Sequence, residues 1–160
     1  MRSRHRIDTT DARLLLALVT QRRASAVTLT GRTGLSRNTV QARLARLEER
    51  GVLDSFERQI PPAMLGYPLR AYITTQVTQR QLDEVAEALA SIPEVLQVDG
   101  VSGEIDLLVH VVAADTDDLY RIAGQVLAIP GVERTNTALV MRELVGYRLT
   151  PLLRRGAEHS

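Results

Sequence analysis

The chain has 160 residues and no cysteine, which excludes disulfides, thiolate metal sites and a cysteine nucleophile. Its formal net charge of +1 hides a division: residues 1–50 hold eleven arginines against Asp8, Asp11, Glu48 and Glu49, and residues 51–160 hold nine against fifteen acids. A basic front on an acidic back points to a polyanion-binding segment joined to a domain with another task, although charge alone also fits a solvated basic face.

The first apolar run, LLLALV, is too short to span a membrane, and no small-residue cleavage site follows it, so a cytoplasmic protein with no membrane partner is expected. Ile7-Asp8-Thr9-Thr10-Asp11 opens a helix, with a polar cap, an acid in the first turn, and Leu14, Leu15 and Leu18 on one face. A short helix from about Ser25 to Thr33 breaks at Gly34. Ser36 then caps a third helix that runs to Arg50 and stops at Gly51. Three helices with a tight glycine turn between the last two make a helix-turn-helix.

On a helical wheel Val40, Leu44 and Leu47 form the core stripe of the third helix. Thr39, Arg43, Arg46 and Arg50 flank it, and Asn38, Ala42 and Ala45 lie nearly opposite. Small residues opposite the core let a backbone sink into a major groove, Asn38 suits an adenine edge, and arginines suit guanine edges or phosphates. The expected DNA-contacting set is Ser36, Arg37, Asn38, Thr39, Gln41, Ala42, Arg43 and Arg46. Glu49 would repel phosphate, so only the N-terminal half of the helix docks deeply.

Beyond Gly51 the pattern reads as a short strand, a proline-rich linker near Pro61 to Pro68, and a second strand. Then come a helix over 82–92, two strands within 95–113 joined by a Gly-containing turn, a helix over 118–129 and a last strand over 132–145. An internal repeat supports this order: Ser91-Ile92-Pro93-Glu94-Val95 closes one helix and Ala128-Ile129-Pro130-Gly131-Val132 closes the other. Two strand-helix-strand copies predict an α+β chain whose second half is a ferredoxin-like βαββαβ domain, one antiparallel sheet with both helices on one face. The other sheet face needs a cover, for which a second subunit is the natural candidate. His110, alone in an apolar strand, is expected to be a hydrogen-bonded core or interface histidine.

With these phrases in place, the chain resembles the Lrp/AsnC, or feast/famine, family of transcription regulators over essentially its full length. The matching phrases are IDTTDARLL, GLSRNTVQARLARLEERGVL, LGYPL, VSGEIDLLV and IPGVERTNTALV, in that order. The resemblance implies a winged helix-turn-helix domain over 1–53, a strand and linker over 54–67, a ferredoxin-like effector and assembly domain (the RAM domain) over 68–147, and a C-terminal tail over 148–160. It implies double-stranded DNA, a homodimer and a tetramer of dimers as partners, and an amino-acid effector with no cofactor. Carried over by motif, the effector loop is Val101, Ser102, Gly103, Glu104 and Asp106, with Thr135 and Thr137 approaching from a neighbouring subunit. Asp106 would take an α-ammonium and the loop amides a carboxylate, while Ile105 and nearby valines would make the side-chain pocket apolar, for an aliphatic or aromatic amino acid. Ile105 replaces an aromatic frequent in the family, and Leu29-Thr30-Gly31 replaces a better helix former.

No G-x-S-x-G, phosphate-binding glycine loop or acid-base pair is present, so an enzyme is not expected. The reading is a sequence-specific, ligand-responsive regulator of transcription. The alternative is an architectural DNA-binding protein that senses no ligand.

Overall fold

The computed structural model describes residues 7–21, 24–53 and 60–158. They fall into two compact units, Met1–Phe56 with Val145–Ser160, and Glu57–Leu144.

In the first unit α1 spans Thr9–Thr20, α2 Ala26–Thr33 and α3 Arg37–Glu49. Each start is set by a side chain that accepts an orphan amide: Asp8 from Asp11, Ser25 from Thr28, and Ser36 from Thr39. Asp8 and Asp11 form a reciprocal capping box. Gly34 ends α2 at φ 71°, a left-handed conformation that a residue with a Cβ resists, and the chain reverses there into α3. Leu14, Leu29, Val40 and Leu47 are buried to 1% or less, with Leu35 and Leu44 packed partly buried beside them. The core stripe expected for α3 is therefore the one that forms.

One element expected in this unit lies outside the described residues, and another differs from the sequence reading. The short strand expected after Gly51 falls mostly on residues 54–59, outside the described residues. Residues 148–160, expected as a tail, contain a helix, α6, over Thr150–Glu158, and its Leu153 enters the core beside Leu14 and Leu15. Thr150, Leu153, Gly156 and Ala157 are the residues it turns inward. That stripe holds one large apolar side chain, too little for periodicity to register.

The second unit runs β1 Leu69–Val77, α4 Leu82–Ala90, β2 Val95–Gly100, β3 Leu107–Ala113, α5 Thr116–Leu127 and β4 Val132–Leu139. The strands form one antiparallel sheet in the order β2-β3-β1-β4, the βαββαβ arrangement expected. Alternation sorts the faces. Ala71, Ile73 and Val77 join Leu107, Val109 and Val111 under Val85 and Leu89 of α4 and Leu119, Ile122 and Val126 of α5. The two repeat phrases make the same turn: the Val95 amide bonds to the Ile92 carbonyl and the Val132 amide to the Ile129 carbonyl, both at 3.0 Å. β4 stops at Leu139 rather than near 145, after the Val140 amide bonds to the Arg70 carbonyl. Its partner strand begins at Leu69, and Pro68 before it carries no N–H to extend the ladder.

The face away from the helices carries Tyr72, Thr74 and Gln76 of β1, paired with His110 and Leu108 of β3 and with Ala138, Asn136 and Arg134 of β4. His110 stacks on Tyr72 with ring centroids 4.9 Å apart. The hydrogen bond expected of this histidine is absent at Nε2, which is buried without a partner. Burial, and then the charge of Arg70, hold the imidazole below its ordinary value of 6.5. The unfolded chain therefore binds this proton more readily than the folded one. Stability from this site is complete above about pH 6.5 and falls as pH drops below it. Thermal melts of the wild type should lose stability between pH 7 and pH 5 more steeply than melts of His110→Phe.

Candidate functional site

The outer surface of α3 is set by its core stripe. With Val40 and Leu47 buried, Arg37, Asn38, Gln41, Ala42 and Ala45 are exposed. Ser36 and Thr39 are exposed as well, but their hydroxyls bond to each other at 2.8 Å and the Ser36 oxygen accepts the Thr39 amide. They shape the helix start before they contact anything else.

Arg43 and Arg46 turn the other way, toward α1. Asp11 is buried to 1% exposure, and its carboxylate accepts from Arg43 Nη1 at 2.7 Å and from Arg46 Nη2 at 3.0 and 3.1 Å. Asp8 accepts from Arg43 Nη1 at 2.6 and 2.7 Å. The hydrogen bond from Arg43 holds the Asp8 carboxyl below its ordinary value, and that to Asp8 raises Arg43. A buried carboxylate must be paired, and two guanidinium groups one turn apart on α3 meet two acids one turn apart on α1. Arg43 and Arg46 were expected to grip DNA. In the structure both guanidinium groups are paired with the acids at the start of α1. The matching three-residue spacing of the acids and of the arginines is the signal by which the sequence could have shown this.

In the sheet unit the loop from Val101 to Asp106 joins β2 to β3, closed by the Val101 amide on the Asp106 carbonyl at 2.9 Å. Gly103 takes φ 122°, and Ser102, Gly103 and Glu104 are exposed. Asp106, expected to take a ligand's ammonium, is committed inside the fold. Its carboxylate accepts the Val77 amide at 2.9 Å and Gln79 Nε2 at 2.7 Å. The register of β1 against β4 shifts between Gln76 and Val77, and such a bulge frees an amide that a carboxylate then satisfies.

Beside this loop lies an open groove of about 410 Å³, walled by Thr74 and Gln76 of β1, by Arg134, Thr135 and Asn136 of β4, and by Glu104 and Ile105 of the loop. The Gln76 side chain donates to the Glu104 carbonyl at 2.6 Å and pins the loop to the sheet. Of the residues carried over by motif, Glu104 and Thr135 line the groove. Thr137 pairs with Ile73, on the helix side of the sheet, and does not line it. Of the expected apolar lining only Ile105 is present. Arg134, Gln76, Thr74 and Asn136 were missed because strand register brings them together, and pairing partners cannot be read along a single strand.

A model of the AsnC-type helix-turn-helix domain matches residues 7–48, and one of the Lrp/AsnC ligand binding domain matches residues 70–149. The chain belongs to the Lrp/AsnC family. It is 31% identical over 136 residues to the HTH-type transcriptional regulator FL11 of Pyrococcus horikoshii, covering 85% of this chain and 90% of that protein. It is 33% identical over 144 residues to the regulator AldR of Mycolicibacterium smegmatis, covering 88% and 84%. Among solved structures it is similar to the leucine response regulatory protein of Mycobacterium tuberculosis, at 28% identity and a TM-score of 0.75 over 89% of this chain and 98% of that one. A Neisseria meningitidis regulator, solved in complex with L-Met, shares the fold at 24% identity and a TM-score of 0.78 over 88% and 94%.

This Lrp/AsnC protein is a DNA-binding transcriptional regulator with a ligand-binding domain, and not an enzyme. Among the described residues, no helix is long and apolar enough to cross a membrane. The arginine clamp makes a prediction for its DNA-binding unit. Asp11→Ala should cost about 2 kcal/mol of unfolding free energy, and Arg43→Ala, which strips one partner from a buried carboxylate, about 2 to 3 kcal/mol. Denaturant titration followed by far-ultraviolet circular dichroism measures both. A neutral Arg43→Ala would show that the clamp does not hold the unit together.

Proposed function

We propose that this regulator reads duplex DNA with the exposed N-terminal half of α3, through Arg37, Asn38, Gln41 and Ala42, while Arg43 and Arg46 hold that helix in place. Ser36 and Thr39 contribute by capping its start. The support is the separation of the two arginine groups, one free to meet phosphate and one tied to Asp8 and Asp11. Affinity for a duplex selected by the protein should fall steeply with salt, since phosphate contacts release counterions. Asn38→Ala should cost about 1 to 3 kcal/mol and relax specificity at one base pair, whereas Arg37→Ala should weaken binding to all sequences alike. Affinity unmoved by salt between low and physiological strength would sink this reading.

The effector is an amino acid bound in the groove beside the Val101–Asp106 loop. One observation carries this: the groove sets a cation, Arg134, and an acid, Glu104, among the hydroxyl and amide groups of Thr74, Gln76 and Asn136. Arg134 suits the α-carboxylate and Glu104 the α-ammonium. The Neisseria relative's complex with L-Met supports an amino acid on this fold. The open sheet face around Tyr72 and His110 is where a second subunit seats, giving a homodimer and then a tetramer of dimers acting on cytoplasmic DNA. Thr137 enters the effector site only if a neighbouring subunit supplies it.

Calorimetry across the twenty amino acids tests the site. At least one should bind the wild type, and Arg134→Ala should lose roughly tenfold or more in affinity, the worth of one charge-assisted hydrogen bond. Asp106→Ala should instead lower the melting temperature, because it strands the Val77 amide. No heat from any of the twenty would favour the ligand-independent architectural protein.

A further inference from the structure

The backbone meets the DNA-binding unit at two places. It leaves after Phe56 into the sheet unit, and it returns from Val145 onward. The returning limb is the continuation of β4. Residues 141–149 are exposed throughout, and α6 follows them. α6 has nine residues and a glycine, which is short for a helix to persist without tertiary support. Its support is α1. Leu153 enters the core with Leu14, Leu15 and Ala17, while its neighbour Leu152 stays exposed. Gly156 lies so near α1 that a Cβ built on it would stand 3.6 Å from the Ala12 Cβ. Ala12 directly follows Asp11, the buried carboxylate that holds Arg43 and Arg46 of α3.

We propose that α6 is a detachable fourth helix of the DNA-binding unit, a latch whose docking on α1 holds the recognition helix in its binding position. DNA affinity is then set in part from the C-terminal end of the chain. Docked, α6 covers the α1 face that bears Ala12 and Leu15, and Asp11 keeps its buried place against the two arginines. Undocked, that face opens to water, and the anchor of α3 loses its packing. Leu153 is the large apolar side chain that α6 buries, and a nine-residue helix reached through an exposed segment is the kind of element that opens locally while the rest of a protein stays folded. Linkage then runs in both directions. If docking tightens DNA binding by some factor, bound DNA tightens docking by the same factor. The predominantly basic end of the chain, with Arg148, Arg154 and Arg155 against Glu158, belongs to this unit and not to the acidic sheet.

The experiment uses the full chain, which has no cysteine of its own. The 3.6 Å separation lies in the range of about 3.5–4.5 Å that a disulfide requires, so Ala12→Cys with Gly156→Cys staples α6 to α1 on oxidation. Affinity is read by fluorescence anisotropy with a duplex selected in vitro by the wild-type chain. Leu153→Ala should weaken binding by roughly tenfold or more. The triple variant Leu153→Ala, Ala12→Cys, Gly156→Cys should be equally weak when reduced and return to wild-type affinity when oxidised, with the bond inside one chain on a non-reducing gel. In the wild type, amide exchange in α6 should slow when the duplex is added. Equal affinity for wild type and Leu153→Ala would overturn the proposal. So would a stapled variant that stays weak, a bond that forms only between chains, or α6 exchange that DNA leaves unchanged. The exchange measurement keeps the test decisive even where Leu153→Ala unfolds the unit.

Discussion

Asp11 is the constraint on which the DNA-binding unit rests. A carboxylate at 1% exposure needs hydrogen-bond partners, and the groups that supply them are two arginines on another helix. That requirement agrees with the rotation of α3 that its buried stripe of Val40 and Leu47 sets. Once Arg43 and Arg46 face α1, the wheel sends Asn38, Ala42 and Ala45 outward, and the small residues among them leave the backbone open to approach. The outward face of α3 and its anchor to α1 thus follow from one orientation, on which the core stripe and the ion cluster agree. The capping box between Asp8 and Asp11 adds to it, because the same two side chains that start α1 also receive the arginines.

A comparable constraint governs the loop from Val101 to Asp106. The bulge between Gln76 and Val77 shifts the register of β1 against β4, and Asp106 satisfies the amide released there. Both Asp106 carboxylate oxygens are thereby engaged within the fold, and the groove beside the loop is lined by two other charged residues, Arg134 and Glu104. In both halves of the chain an acid is tied into the fold, Asp11 by two arginines and Asp106 by the Val77 amide and the Gln79 side chain.

The charge division follows the folded units more closely than the sequence halves. Counting the returning limb with the first unit leaves Met1–Phe56 and Val145–Ser160 at a formal +8 and Glu57–Leu144 at −7. The positive charge is concentrated in the unit that holds the helix-turn-helix, and the sheet unit carries the acidic balance. The limb that carries the last basic residues follows β4, the strand that bears Arg134, in the chain.

Local rules suffice for a large part of this protein, and those rules are visible in its sequence. The caps at Asp8, Ser25 and Ser36, the glycine turn at Gly34, the stripe of Val40, Leu44 and Leu47, and the repeated Ile-Pro-x-Val turn all depend on neighbours within a few positions, and all determined their elements. The family phrases carried the fold and the regulatory class in the same way. What only the tertiary structure decided are the pairings between residues far apart in the chain: Asp11 with Arg43 and Arg46, Asp106 with Val77 and Gln79, and Leu153 with Leu14. Each answers a burial or pairing demand that exists only once the elements have met. A charge or a lone leucine on a surface-patterned segment carries no mark of the partner it will find.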